Sequence, residues 1–237
     1  MNINLGRSVS KAQTMFLEML SSNNWERPMY VCATVGREYY PAISNYLQLE
    51  GLAYRIVPTN YNRETVNTEK MYDNMMNKFL WGNVNDPKVY LDEQHLRMCR
   101  TLRMMFVQLA DALESEQQSE KALAVLAKAE EVLPYNCIPL DYSCATIADL
   151  YYKLGKKDKA DALIDALFDD CKQRINWVAN LKPSQRRAIS GENGISNTLG
   201  ILQSIYLSRT IEGINPEKRE EAKRLFEMGL PYYNENR

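Results

Sequence analysis

The feature that most constrains the fold is an arrangement of small residues that occurs twice. The first copy is the stretch LADALESEQQSEKALAVLAKAEEVLP, Leu109–Pro134, and the second begins 38 residues later with IADLYYKLGKKDKADALIDALFDD. Four alanines occupy equivalent places: Ala110 and Ala122 in the first copy, Ala148 and Ala160 in the second. Apolar residues recur at steps of three and four, the spacing of one helix face. The sequence therefore predicts pairs of helices that touch at their alanines.

The segment from Arg103 to Pro134 resembles a tetratricopeptide repeat, a unit of about 34 residues in which two antiparallel helices pack through small residues. The second copy, from about Asp141, resembles it less closely, because it lacks the terminal proline and continues as a long helix. A third pair is expected from ISNTLGILQSIYLSR and NPEKREEAKRLFEMGL, where Asn215 is a good N-cap and Pro216 suits the first helical position. We expect a mainly α-helical array of tetratricopeptide-like hairpins over residues 98–237.

Tetratricopeptide repeats bind peptides or proteins in a groove lined by the first helix of each pair, so the resemblance implies a protein or peptide partner. Family members that hold a peptide carboxylate place lysine and asparagine on this surface, and these residue types are absent from the equivalent places here. The candidate partner-binding groove consists of six residues: Val107, Asp111, Glu114, Ala145, Asp149 and Tyr152. An alternative remains open, in which the helices are a scaffold that only packs against the N-terminal part.

The first 97 residues lack the repeat and predict a small α/β subdomain. MYVCATV, residues 29–35, and LAYRIVP, residues 52–58, are short aromatic and β-branched stretches that predict two strands. Between them, YYPAISNYLQLEG has apolar residues at helical spacing and ends at Gly51, a typical residue after a helix. A strand, a helix and a strand in this order predict a βαβ unit with parallel strands. We expect the domain boundary near residue 97.

Composition narrows the classes of function. The 29 basic and 30 acidic side chains nearly cancel, so no overall charge attracts the chain to nucleic acid. The five cysteines form no C-x-x-C pair, and the single histidine, His95, lies four residues before Cys99 with no second pair of metal-ligating residues nearby. Phosphate-loop and nucleophile motifs are missing, and no apolar run approaches the roughly 18 to 20 residues that cross a bilayer. We expect no catalytic residue, cofactor, metal or membrane span in this chain.

Four phrases between about residues 10 and 100 resemble the region after the last membrane helix in a bacterial family of multi-pass proteins: NNWERPMYVCATV, YLQLEGLAYRIVP, MYDNMMNKFLWGN and VYLDEQHLRM. In their membrane part, these proteins are similar to protein O-mannosyltransferases that use lipid-linked sugars. The resemblance places the catalytic carboxylates between membrane helices, so no catalytic residue carries over to this chain.

The resemblance implies a soluble, non-catalytic accessory region on the periplasmic face of a bacterial inner membrane. Such a region would hold an acceptor protein or steady the membrane part of the same protein. The main alternative is a free-standing cytoplasmic adaptor that binds a peptide or protein in its helical groove. A hydrolase or transferase in its own right is a third hypothesis, for which the sequence names no site.

Overall fold

The computed structural model describes the chain apart from residues 2, 4, 6–7, 41–42, 62, 190–194, 208–212 and 235–237. Over these described residues the protein is mainly helical, as expected, with a small N-terminal sheet of four strands. The chain divides into an N-terminal unit, Met1–Gly82, and a helical unit, Asn83–Arg237. Residue 97, the expected boundary, lies inside the helix Glu93–Ser115.

The described part of the N-terminal unit contains two α-helices and the sheet. Its elements are α1 Lys11–Asn23, β1 Tyr30–Cys32, β2 Leu47–Leu49, β3 Ala53–Ile56, β4 Thr65–Val66 and α2 Thr68–Asp73, which continues as a π-helical turn, Asn74–Lys78. A capping box starts α1: the Ser10 hydroxyl accepts the N–H of Gln13, and the Gln13 side chain accepts the N–H of Ser10. The strands lie in the order β1-β3-β2-β4.

The predicted βαβ unit is wrong. The two predicted strands correspond to β1 and β3, which pair antiparallel, with Val31 opposite Tyr54. A strand that the sequence did not predict, β2, lies beside β3 and also pairs with it in the antiparallel sense. The described sheet has parallel pairing only between β2 and β4. No crossover helix is needed, because antiparallel neighbours can be joined by a tight turn.

The prediction of a helix that ends at Gly51 is also wrong, and the reason lies in the three residues of β2. Leu47 and Leu49 are fully buried, whereas Gln48 between them is partly exposed. This alternation is the period of a strand, and three residues were too few to outweigh the helical spacing before them. Gly51, at φ 141°, lies in the turn from β2 to β3, in a backbone region that glycine enters without a steric penalty.

The helical unit consists of packed helix pairs. Its helices are α3 Glu93–Ser115, α4 Ser119–Val132, α5 Tyr142–Lys153, α6 Lys157–Asn180, α7 Pro183–Ala188, α8 Ile195–Leu207 and α9 Pro216–Asn234. Three pairs pack closely, α3 with α4, α5 with α6 and α8 with α9, while α3 also packs on α5 and α6 on both α8 and α9. The predicted start of α9 is confirmed: Pro216 is its first residue, and the Asn215 side chain accepts the N–H of Glu217 at 3.0 Å.

The repeated alanines lie in the interior of the helical unit. Ala110 on α3 and Ala122 on α4 are both fully buried, as are their counterparts Ala148 on α5 and Ala160 on α6. Because an alanine side chain is small, two helices can approach closely where alanines occupy the contact. The positions identified from the repeat are therefore packing positions in both pairs.

Replacing Ala122 with Leu is expected to lower the free energy of unfolding by about 1 to 3 kcal/mol, because the larger side chain overpacks the interior between α3 and α4. Urea denaturation followed by circular dichroism measures the change. The matched control is Ala127→Leu, the same substitution at an exposed position of α4, which should leave the midpoint nearly unchanged. Equal midpoints for the two variants would contradict the packing role of Ala122.

A buried arginine holds the segment that connects α4 to α5. Arg103 on α3 is only 1% exposed. Its guanidinium donates to the backbone oxygens of Ile138 and Pro139 at 2.8 and 3.0 Å, and it lies 3.3 Å from the carboxylate of Asp141. It also lies over the ring of Tyr135, 5.3 Å from the ring centre. Since Asp141 is the N-cap of α5, Arg103 fixes where the second helix pair begins.

Candidate partner-binding surface

The six residues predicted to line the groove lie on α3 and α5, two helices that pack on each other. They differ in accessibility. Val107 and Ala145 are 3% and 4% exposed, so their side chains contribute to helix packing and offer no surface to a ligand. Asp111 is exposed, Glu114 is partly exposed, and Asp149 is buried. The acidic members, rather than the whole set, therefore carry the polar chemistry of this surface.

Tyr152 is engaged within the fold. Its hydroxyl donates a hydrogen bond to the carboxylate of Asp161 on α6 at 2.6 Å. Gly213, in the connection before α9, lies so close to the ring that a Cβ atom on this glycine would be 2.7 Å from it. Burial is the main cause that raises the pKa of Tyr152, and the bond to Asp161 adds to the rise. Its hydroxyl therefore connects the second helix pair internally.

The three acidic residues come together with one lysine, and we call the four the acidic cluster: Asp111, Glu114, Asp149 and Lys153. The Nζ atom of Lys153 lies 3.1 Å from Oδ2 of Asp149, one helical turn away on α5. Burial is the main cause that raises the pKa of Asp149, Lys153 opposes the rise, and the charges of Asp111 and Glu114 add to it. The same three carboxylates raise the pKa of Lys153 against the effect of its own burial.

One oxygen of Asp149 has an unusual environment. Oδ1 is buried and has no hydrogen-bond partner among the described residues, although Oδ2 is paired with Lys153. A buried acceptor without a donor costs free energy, since it has lost its water without replacement. The spacing of Asp149 and Lys153 could have revealed their ion pair from the sequence, but the burial of Asp149 depends on tertiary packing.

Replacing Asp149 with Asn is expected to raise the free energy of unfolding at pH 7 by up to about 1 kcal/mol, because it removes a desolvated charge. The raised pKa means that the carboxyl group of Asp149 binds its proton more tightly in the folded protein than in the unfolded chain. The folded protein therefore loses stability as the pH rises through the folded pKa of Asp149 and this proton is released. The advantage of the variant should therefore shrink as the pH falls toward the ordinary carboxyl range.

Thermal unfolding of both proteins between pH 7 and pH 4 tests this expectation. The control is Asp169→Asn, at an exposed carboxylate on α6, which should shift the midpoint little at either pH. A variant at Asp149 that is less stable than the parent at pH 7 would show that the ion pair with Lys153 outweighs the burial of the carboxylate.

The helical unit also contains a cavity that the sequence did not predict. This cavity, of about 370 Å³, is lined by parts of α3, α6 and α8 and by the segments before α3 and α5. Its lining mixes both signs of charge with apolar side chains, and its polar members are Tyr90, Glu93, Arg100, Asp170, Arg174, Asn197 and Thr198. Because these residues are distant in sequence, no periodic pattern could have brought them together. The balanced charges favour no single ligand class.

Metal binding and membrane insertion each require a feature that the described residues lack. Within them, no group of three or more histidine, cysteine, aspartate and glutamate side chains is arranged to hold a metal ion. In the same part of the chain, no helix is both long enough and apolar enough to cross a bilayer. The five cysteines form no disulfide; Cys99, Cys144 and Cys171 are buried, and burial raises the pKa of the Cys144 thiol to about 11.

Comparison with known proteins relates the N-terminal unit to one family. Residues 1–78 match the family model described as TMEM260-associated domain 2. The matched range falls within the N-terminal unit, Met1–Gly82, and includes α1, α2 and the whole described sheet. No curated protein matches the chain. No solved structure matches it either. The N-terminal unit is therefore similar to a domain found in association with TMEM260.

Proposed function

We propose that this chain is a non-catalytic accessory region of a membrane-embedded protein O-glycosyltransferase-like protein. The observation that carries the proposal is the match of residues 1–78 to a TMEM260-associated domain, since TMEM260 is grouped with the protein O-mannosyltransferases. The resemblance of the first 100 residues to the region after the membrane helices of such proteins supports the same role. The chain then lies on the periplasmic face of a bacterial inner membrane, and sugar transfer takes place in the membrane part.

The helical unit has a separate part in this proposal. Three consecutive helix pairs, with fully buried alanines in the first two, support a tetratricopeptide-like array. Such arrays present the first helix of each pair to a protein or peptide, here the acceptor protein or the membrane part of the same protein. The acidic cluster lies on the first helices of two neighbouring pairs, α3 and α5, which favours a contact with a partner at this surface.

The experiment compares sugar transfer by three proteins. The purified chain should transfer no sugar from a lipid-linked donor to a protein acceptor, whereas the membrane protein that carries it should be active. The same membrane protein without this region should lose most of its transfer to a folded acceptor, because the acceptor is no longer held near the membrane. Turnover by the purified chain would overturn the accessory role, and unchanged transfer after the deletion would do the same.

The helix pairs also fit a second candidate, the free-standing adaptor in the cytoplasm. The two candidates differ in what the complete gene encodes. An accessory region should follow many apolar segments of about 20 residues in the same reading frame, whereas a free-standing adaptor should follow none. Sequencing the gene upstream of Met1 distinguishes them. Fractionation of cells should then find the chain with the inner membrane in the first case and in the soluble fraction in the second.

A further inference from the structure

The acidic cluster has an unbalanced charge. It contains three carboxylates and one ammonium group, and Lys153 forms its ion pair with Asp149. The side chains of Asp111 and Glu114 have no ion-pair or hydrogen-bond partner within the described part of the chain. Because they are three residues apart on α3, they lie next to each other on one helix face, and like charges in this position destabilise a helix. The cluster is therefore not explained by stability.

The buried carboxylate of the cluster, Asp149, indicates that a positive charge is missing at this surface. Asp149 is 7% exposed, and its Oδ1 atom has no donor among the described residues. This carboxylate is close enough to Asp111 and Glu114 for their charges to act on it, and α5 packs on α3. A fixed, desolvated negative charge behind two more accessible carboxylates produces a strong local field, since there is little water to screen it. A further positive charge at this surface would be stabilised.

The chemistry of the available cations favours one of them. No group of acidic side chains in the described residues is arranged to hold a metal ion, so the cluster does not fit a divalent cation. A guanidinium group, by contrast, is planar, spreads its charge and carries five N–H donors, which can reach two separate carboxylates. An ammonium group has three donors at a single point and matches two separated carboxylates less well.

We propose that the acidic cluster binds an arginine side chain of a protein partner, with Asp111 and Glu114 as the direct ligands of the guanidinium and Asp149 as the buried charge behind them. This inference rests on the proposed function, because it names the chemistry that the helical unit recognises. It assigns the partner a basic segment rather than a free carboxylate. Lys153 stays on Asp149 and leaves the two α3 carboxylates to the partner.

The test uses a capped pentapeptide, Ala-Ala-Arg-Ala-Ala, and the whole chain. The control peptide has citrulline in place of arginine, which keeps the shape and removes the charge. In carboxyl-detected NMR titrations, the arginine peptide should shift the resonances of Asp111 and Glu114, and the citrulline peptide should not. Calcium ions alone should not reproduce these shifts. A peptide with lysine in place of arginine should bind more weakly.

Variants give the decisive comparison. The double variant Asp111→Asn/Glu114→Gln should weaken binding of the arginine peptide about tenfold or more. The matched control Asp169→Asn/Glu227→Gln removes the same net charge at exposed positions on α6 and α9 and should change the affinity less than about twofold. Both substitutions are close in shape to the original residues, and circular dichroism confirms that each variant folds. Raising the salt concentration should weaken binding, because partly exposed charges are screened.

Each outcome has a defined meaning. Equal binding of the citrulline peptide, equal loss in the control variant, or the same shifts with calcium would overturn the arginine site. If the arginine peptide fails to bind but deletion of the region still abolishes sugar transfer, the accessory function stands and the site fails. If the peptide binds at the cluster but the deletion leaves transfer unchanged, the site stands and the accessory function fails.

Discussion

Replacing Arg103 with Ala is expected to lower the free energy of unfolding of the helical unit by about 3 to 5 kcal/mol, the range for removing one partner of a buried ion pair. The guanidinium of Arg103 reaches the backbone oxygens of Ile138 and Pro139 and the carboxylate of Asp141. After the substitution these acceptors remain buried without donors, and Asp141 keeps a charge without its partner. The segment that leads into α5 loses its anchor on α3.

Urea denaturation followed by circular dichroism at 222 nm measures this loss, since most described helical residues belong to the helical unit. The control is Arg97→Ala, which removes an exposed arginine from the same helix and should cost less than about 0.5 kcal/mol. The double variant Arg103→Met/Asp141→Asn should recover part of the stability, because it also removes the charge left behind. A loss below about 1 kcal/mol for Arg103→Ala would mean that water satisfies the freed groups.

Replacing Gly51 with Ala is expected to destabilise the N-terminal unit by about 2 to 3 kcal/mol. Two costs add together. The φ of 141° at Gly51 lies in a region where a side chain is strained, a cost of about 1 to 3 kcal/mol. A Cβ atom at this position would also lie 2.9 Å from the ring of Phe79, which would have to move. The turn between β2 and β3 would be weakened.

Gly82→Ala is the matched control for this prediction. Gly82 also has a positive φ, of 62°, but a Cβ atom there would meet nothing within 4 Å. We expect a smaller loss, of about 1 kcal/mol, because only the left-handed backbone conformation carries a cost. Both variants are measured in a Trp177→Phe background, so that the remaining tryptophans, Trp25 and Trp81, both lie in the N-terminal unit and their fluorescence reports the unfolding of that unit. Equal losses for the two variants would show that contact with Phe79 does not matter.

The helical unit could be predicted from the sequence because its signals are local and repeated. Ala110 and Ala122 recur as Ala148 and Ala160, and all four are buried. The N-terminal sheet could not be predicted in the same way. Strand β2 has only three residues, and the alternation from Leu47 to Leu49, which predicts a strand, follows directly after a stretch whose spacing predicts a helix. Such a short stretch takes its conformation from its neighbours in space, here β3 and β4.

The candidate site was predictable in part for the same reason. Helical spacing placed Asp111 and Asp149 on neighbouring first helices, and the structure brings their charges together. The contact between the ring of Tyr152 and Gly213 was not predictable, because Gly213 lies far away in the sequence and belongs to no periodic pattern. The burial of Arg103 was equally hidden, since charged residues are seldom fully buried.

The length of α6 determines how the helical unit can come apart. With 24 residues against 12 in α5, it extends about 36 Å, twice the length of its pair partner. Its remaining surface serves the third pair: Lys172 forms an ion pair with Glu221 on α9, and Ile175 lies against Gly229. Repeat arrays often unfold from one end, one repeat at a time. Here α6 packs against helices of both the second and the third pair. Unfolding that begins at the C-terminal end would therefore not stop between these two pairs. The smallest fragment expected to fold on its own contains both the second and the third pair.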